Sequence, residues 1–93
     1  MSTNAPATAK LDAYLQKALA EQRPGLLRVM IRIAARDGAD PRVRALLTDR
    51  GRSVASVLSG GRLLVTVVEV SDLVPLAASD DVERISFDAI VKV

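Results

Sequence analysis

Arg62-Leu63-Leu64-Val65-Thr66-Val67-Val68-Glu69-Val70 is the stretch on which the fold turns. Its aliphatic and β-branched residues favour an extended backbone, and no glycine or proline interrupts it. Side chains alternate along a strand, so Leu63, Val65 and Val67 share one face while Leu64, Val68 and Val70 share the other. Immediately before it, Ser59-Gly60-Gly61 supplies a hairpin turn, because glycine tolerates the positive φ angles of tight hairpins. Arg52–Leu58 then reads as a weaker, antiparallel partner strand. Upstream, Leu27, Val29, Ile31 and Ile33 alternate with Arg28, Met30 and Arg32, predicting a strand over Leu26–Ala34 with one buried face.

The remaining elements follow from spacing and punctuation. Leu11, Leu15, Ala18 and Leu19 recur at helical intervals, which predicts a helix from about Ala9 to Gln22, capped by Thr8 and stopped by Pro24-Gly25. Between the first two strands, Asp40 is the expected cap of a second helix, with Pro41 at its first position and Gly51 at its end. Its buried stripe is Val43, Leu46 and Leu47. After Val70, Ser71 or Asp72 starts a short helix with Leu73, Leu76 and Ala77 inward and Pro75 in its first turn. Val82–Asp88 is the last strand, with Ile85 and Phe87 in phase, and Ala89–Val93 trails off as an extended apolar tail. The expected architecture is α+β: a ferredoxin-like βαββαβ domain with a four-stranded antiparallel sheet, preceded by an N-terminal helix. Residues 1–25 form a flexible lead and that helix; residues 26–93 form the domain and tail.

Composition excludes much and selects little. In 93 residues there is no cysteine and no histidine, so disulfides, thiol or imidazole catalysis, a serine–histidine dyad and the usual zinc sites are all ruled out. Half the chain is apolar, 49%, which is too much for intrinsic disorder. A chain this short buries only about 60% of its unfolded surface, so marginal stability and a role for a partner are expected. Net charge is +2, but residues 28–62 carry a net +5 and residues 63–93 a net −4. Ten of the thirteen basic residues are arginine. Met1 to Ala9 lacks the basic cluster and apolar core of a secretory signal, and no apolar run approaches the ~18 residues of a membrane span. The expectation is a soluble, cytoplasmic chain without cofactor or metal.

The strand at Arg62–Val70 carries more apolar surface than two short helices can cover. Two helices shield one side of a four-stranded sheet, so Leu64, Val68 and Val70 are expected to form an uncovered docking face. The alternatives are that the N-terminal helix lies across that face, or that the domain self-associates through it.

The run Ser71-Asp72-Leu73-Val74-Pro75-Leu76-Ala77-Ala78-Ser79-Asp80-Asp81-Val82-Glu83-Arg84-Ile85-Ser86-Phe87-Asp88, following Leu27–Ile33 and Leu64–Val67, resembles the subtilisin propeptide and I9 inhibitor family. In that family a leucine–alanine helix leads through an acidic turn into a Val-x-x-[Ile/Val] strand and an aspartate. The resemblance covers about Leu26 to Val93. It implies an inhibitor or chaperone of a subtilisin-like serine protease that packs its open sheet face on the enzyme. It further implies that the C-terminal tail lies in the substrate cleft as an added strand. Val93 would then be nearest the catalytic serine, with Lys92, Val91 and Ile90 running back and Ile90 filling an apolar pocket. Asp88 matches an acidic position that caps a protease helix. Ser86 stands where a second acid is usual, and Glu69 is the substitute on the adjacent strand. The sequence also ends where a propeptide would continue into its protease, and the expectation is either a free-standing inhibitor or chaperone or a fold reused as a binding or assembly module.

Two other functions share this topology. A nucleic-acid-binding domain would stack bases on aromatics in its central strands, and Leu27–Ile33 and Leu63–Val70 contain none. An acylphosphatase-like enzyme would need an anion-cradling loop, whereas Ala35-Arg36-Asp37-Gly38-Ala39-Asp40 places two acids there. The serious alternative is a non-catalytic interaction or self-assembly module. No nucleic acid and no membrane are expected as partners, and a homo-oligomer is a possible state.

Overall fold

The computed structural model describes residues 7–91. The elements are helix α1 (Ala13–Ala20), strand β1 (Leu26–Ile33), helix α2 (Ala39–Asp49), strands β2 (Val54–Leu58) and β3 (Leu63–Glu69), helix α3 (Leu73–Ala77) and strand β4 (Val82–Ile90). Single 3-10 turns occupy Ala7–Lys10, Ser59–Gly61 and Val70–Asp72. The strands form one antiparallel sheet in the order β2-β3-β1-β4. This is the βαββαβ, ferredoxin-like arrangement with an added N-terminal helix. Among the described residues, no helix is long and apolar enough to cross a membrane.

The β2–β3 hairpin closes as its sequence predicts. Ser59, Gly60 and Gly61 all have positive φ, at 53°, 64° and 93°, and the two glycines adopt this at no steric cost. The β2 strand starts two residues later than expected, at Val54, and Arg52 ahead of it pairs with Asp72 and Glu69.

Register decides which faces are buried. On β1, Leu27, Val29, Ile31 and Ile33 are buried. Across from them on β3 stand Val68 opposite Leu27, Thr66 opposite Val29 and Leu64 opposite Ile31. Phe87 and Ile85 face Val29 and Ile31 from β4. Val43 and Leu47 of α2, Leu73 and Leu76 of α3, and Leu15 and Ala18 of α1 complete this single core. All three helices therefore cover the same side of the sheet. The N-terminal helix does not cross the other side.

Two helix starts differ from expectation. Asp12, not Thr8, caps α1: its Oδ1 accepts from the Leu15 N–H at 2.9 Å. Its Oδ2 accepts from the Phe87 N–H at 2.6 Å, and its own N–H donates to the Ile85 carbonyl at 3.2 Å. Leu11 also bridges Ile85 in parallel. One residue thus starts a helix and blunts the outer edge of β4, where unpaired strand groups would invite aggregation. Tyr14 then stacks on Phe87 with centroids 3.9 Å apart, fixing the helix against the strand. Asp12→Ala should cost about 2 kcal/mol through loss of the cap and of the Phe87 bond. In a thermal melt this appears as a drop of about 10 °C.

The α2 start is the second difference. Gly38, at φ 81°, occupies the cap position and no side chain caps the helix. Asp40 and Pro41 sit one and two residues inside it. Proline is harmless there because the first four helical N–H groups have no intrahelical partner. Asp40 instead pairs with Arg44 one turn later. Gly51 ends the helix in the left-handed region at φ 74°, as its type predicts.

Candidate interaction surface

Among the described residues nothing covers the side of the sheet opposite the helices, and the strand register arranges it in rows. The central row is Ser56, Val65, Met30 and Ser86. Toward the β2–β3 hairpin lies a row of Leu58, Leu63, Arg32 and Arg84. On the other side stand Val67 and Arg28, with Asp88 beside Arg28. Met30, Leu63, Val65 and Val67 are half-buried, and Leu58 is 46% exposed. The β2–β3 half of this face is therefore aliphatic, and the β1–β4 half is charged.

This corrects the expected docking face. Leu64, Val68 and Val70 are 0%, 0% and 7% exposed and lie beneath the helices. Both faces of β3 are aliphatic, so its sequence alone does not distinguish them. Pairing of Val68 with Leu27 and of Leu64 with Ile31 puts the even-numbered residues on the side that β1 buries. The uncovered aliphatic residues are Leu63, Val65 and Val67.

The C-terminal segment is also more ordered than a free tail. A bulge places both Asp88 and Ala89 against Arg28, after which Ile90 pairs with Leu27. The Val91 N–H still donates to the Leu26 carbonyl at 3.1 Å. The aliphatic residues expected to be free continue the ladder because β1 still offers them partners. Ile90 is nonetheless 56% exposed. Lys92 and Val93 lie outside the described residues.

Of the two expected acidic contacts, Asp88 lies on the open face, where Arg28 Nε donates to its Oδ2 at 2.6 Å. Glu69 has internal work. It forms a reciprocal capping box with Asp72 at the turn before α3 and accepts from Arg52 at 2.7 Å. Ser86 sits in the central row.

Two carboxylates that the sequence marked only as a helix start and as part of an acidic turn brace the helical side. Asp72 has a side chain only 3% exposed and accepts from Arg50, Arg52 and the Glu69 N–H. Burial alone would raise its pKa, but the backbone bond and the two guanidiniums outweigh that and hold it below the ordinary value. Asp81 takes hydrogen bonds from Arg42 and Arg36. The Arg42 bond, working against desolvation and helped by Arg36, lowers its pKa to about 2. The acidic turn is thus a clasp between the start of β4, α2 and the loop before it. Its signal in sequence is weak, because the partners lie 39 and 45 residues away.

The loop expected to disfavour phosphate chemistry lines a cleft of about 350 Å³ with the β2–β3 turn. Arg36 is held there by Asp81, and Arg62 donates to the Ile33 carbonyl and to Glu83. The cations beside the loop are engaged by this chain's own acceptors, while Asp37 and Asp40 line the cleft. Among the described residues no three Asp, Glu, His or Cys side chains are grouped to hold a metal ion. Comparison of the chain with protein-family models, curated proteins and solved structures gives no match.

Proposed function

We propose that this chain is a subtilisin-propeptide-like inhibitor or chaperone of a subtilisin-like serine protease. It acts by docking, without cofactor or chemistry of its own. The observation that carries this reading is the uncovered sheet face of Met30, Leu63, Val65 and Val67 beside β4, the strand that runs out through exposed Ile90. A contiguous aliphatic face on a monomeric domain marks an interaction site. The segment from Ile90 through Val91, Lys92 and Val93 would enter the cleft as an added strand, with backbone bonds giving affinity and alternate side chains giving specificity. Asp88, paired with Arg28 on the uncovered face, would cap a helix of the enzyme once Arg28 gives way or shares it.

The test is inhibition of a panel of subtilisin-like proteases by the full chain and by a variant lacking residues 91–93. That truncation leaves every β1–β4 residue pair in place. The full chain should slow at least one enzyme, and truncation should raise the inhibition constant about 100-fold, as expected for loss of central contacts. Persisting inhibition with no effect of truncation would remove the tail from the interface. No inhibition by either form would end the protease reading. A stable dimer would then favour self-assembly, for which edge strand β2, with Val57 and Leu58 nearly half exposed, is the available site.

A further inference from the structure

Eight of the ten arginines are ion-paired among the described residues, and the exceptions are Arg32 and Arg84. These two stand directly opposite each other on β1 and β4, on the uncovered face. Both are exposed. Like charges in a cross-strand pair destabilise a sheet. Elsewhere this chain places a carboxylate within reach of each guanidinium, and two of those acids, Asp72 and Asp81, each serve two arginines. The same two-to-one pattern is left incomplete at Arg32 and Arg84.

We propose that Arg32 and Arg84 together receive a carboxylate from the surface of the docked protease, so that the pair is a specificity element of the interface. The proposal rests on the inhibitor reading and adds to it the charge of the enzyme's contact surface. Guanidinium groups present planar forks suited to carboxylate, and Leu58 and Leu63 in the same row would exclude water from the bonds. A protein acid fits better than a nucleic-acid phosphate, because Leu58 and Leu63 in this row and Val65 and Met30 in the next offer apolar contact and no aromatic ring in either row could stack a base. A second copy fits poorly. The face carries Arg28, Arg32 and Arg84 against Asp88, so two such faces would repel.

The experiment measures inhibition of the protease that the full chain inhibits, for the full chain and for Arg32→Glu, Arg84→Glu and Arg84→Gln, at low and high salt. Melting temperature is read on the same samples. Each reversal should raise the inhibition constant at least about tenfold at low salt, with the glutamine variant in between and the differences shrinking as salt rises. Arg84→Glu should at the same time melt a few degrees higher, because it turns a repulsive cross-strand pair into an attractive one. Unchanged inhibition by reversed variants that melt normally would overturn the arginine site and leave the inhibitor reading intact. A full chain that inhibits nothing would remove both. Binding of a short DNA duplex that depends on both arginines would also overturn it, by assigning the pair to phosphate.

Discussion

Val68→Asp should leave the chain unfolded at room temperature, whereas Val65→Asp, on the same strand, should leave it folded. Val68 is fully buried opposite Leu27, within the aliphatic core that the helices close. An unpaired buried charge costs several kcal/mol, and the lost aliphatic packing adds about 1–3 kcal/mol. A domain of this size has only about 5–14 kcal/mol of stability in total. Val65 sits on the uncovered face in the Ser56–Met30 row, where aspartate stays hydrated and costs about 1 kcal/mol in strand preference. Circular dichroism separates the two outcomes. A folded Val68→Asp variant beside an unfolded Val65→Asp variant would invert the face assignment. If the protease reading holds, the folded Val65→Asp variant should also lose inhibition.

Asp72→Ala should lower stability by about 3 kcal/mol, roughly a fifth to three fifths of the total. It removes a nearly buried acceptor shared by Arg50, Arg52 and the Glu69 N–H, and with it half of the capping box. The melting temperature should fall by about 15 °C. The same carboxylate contributes to acid sensitivity. Its pKa and that of Asp81 are both lower in the folded protein than in the unfolded chain, that of folded Asp81 at about 2. Their stabilisation is therefore complete above the unfolded value near 4 and is lost as pH falls toward 2. Melting temperature should fall steeply between pH 4 and about 2 in the unmodified chain. It should fall less steeply in Asp72→Ala and in Asp81→Asn, because each has lost one carboxylate whose protonation drives the decline. Equal slopes in all three would show that these clasps do not govern acid unfolding.

Local signals carried most of the architecture. The alternation from Leu27 to Ile33, the Ser59-Gly60-Gly61 turn and the helical spacing of Leu11, Leu15 and Ala18 each depend on neighbours within a few residues. Such short-range preferences are readable along the chain. The helix starts were less legible. Asp12 caps α1 partly because the Phe87 N–H of β4 donates to its second oxygen, and Phe87 lies 75 residues away. Asp40 lost the cap position to Gly38, whose positive φ starts the helix earlier.

What the sequence by itself determined is the order of elements, the fold class and a surplus of aliphatic surface on β3. What the tertiary structure alone decided is which side that surplus faces. A strand with aliphatic residues on both sides has no intrinsic inside, and a shift of one residue in register exchanges its faces. The pairing of Leu64 and Val68 with the buried side of β1, and the packing of all three helices on that side, make the choice. Leu63, Val65 and Val67 are thereby left uncovered beside Arg32 and Arg84. Those arginines are opposite each other only because β1 and β4, far apart in the chain, are hydrogen-bonded neighbours in the sheet.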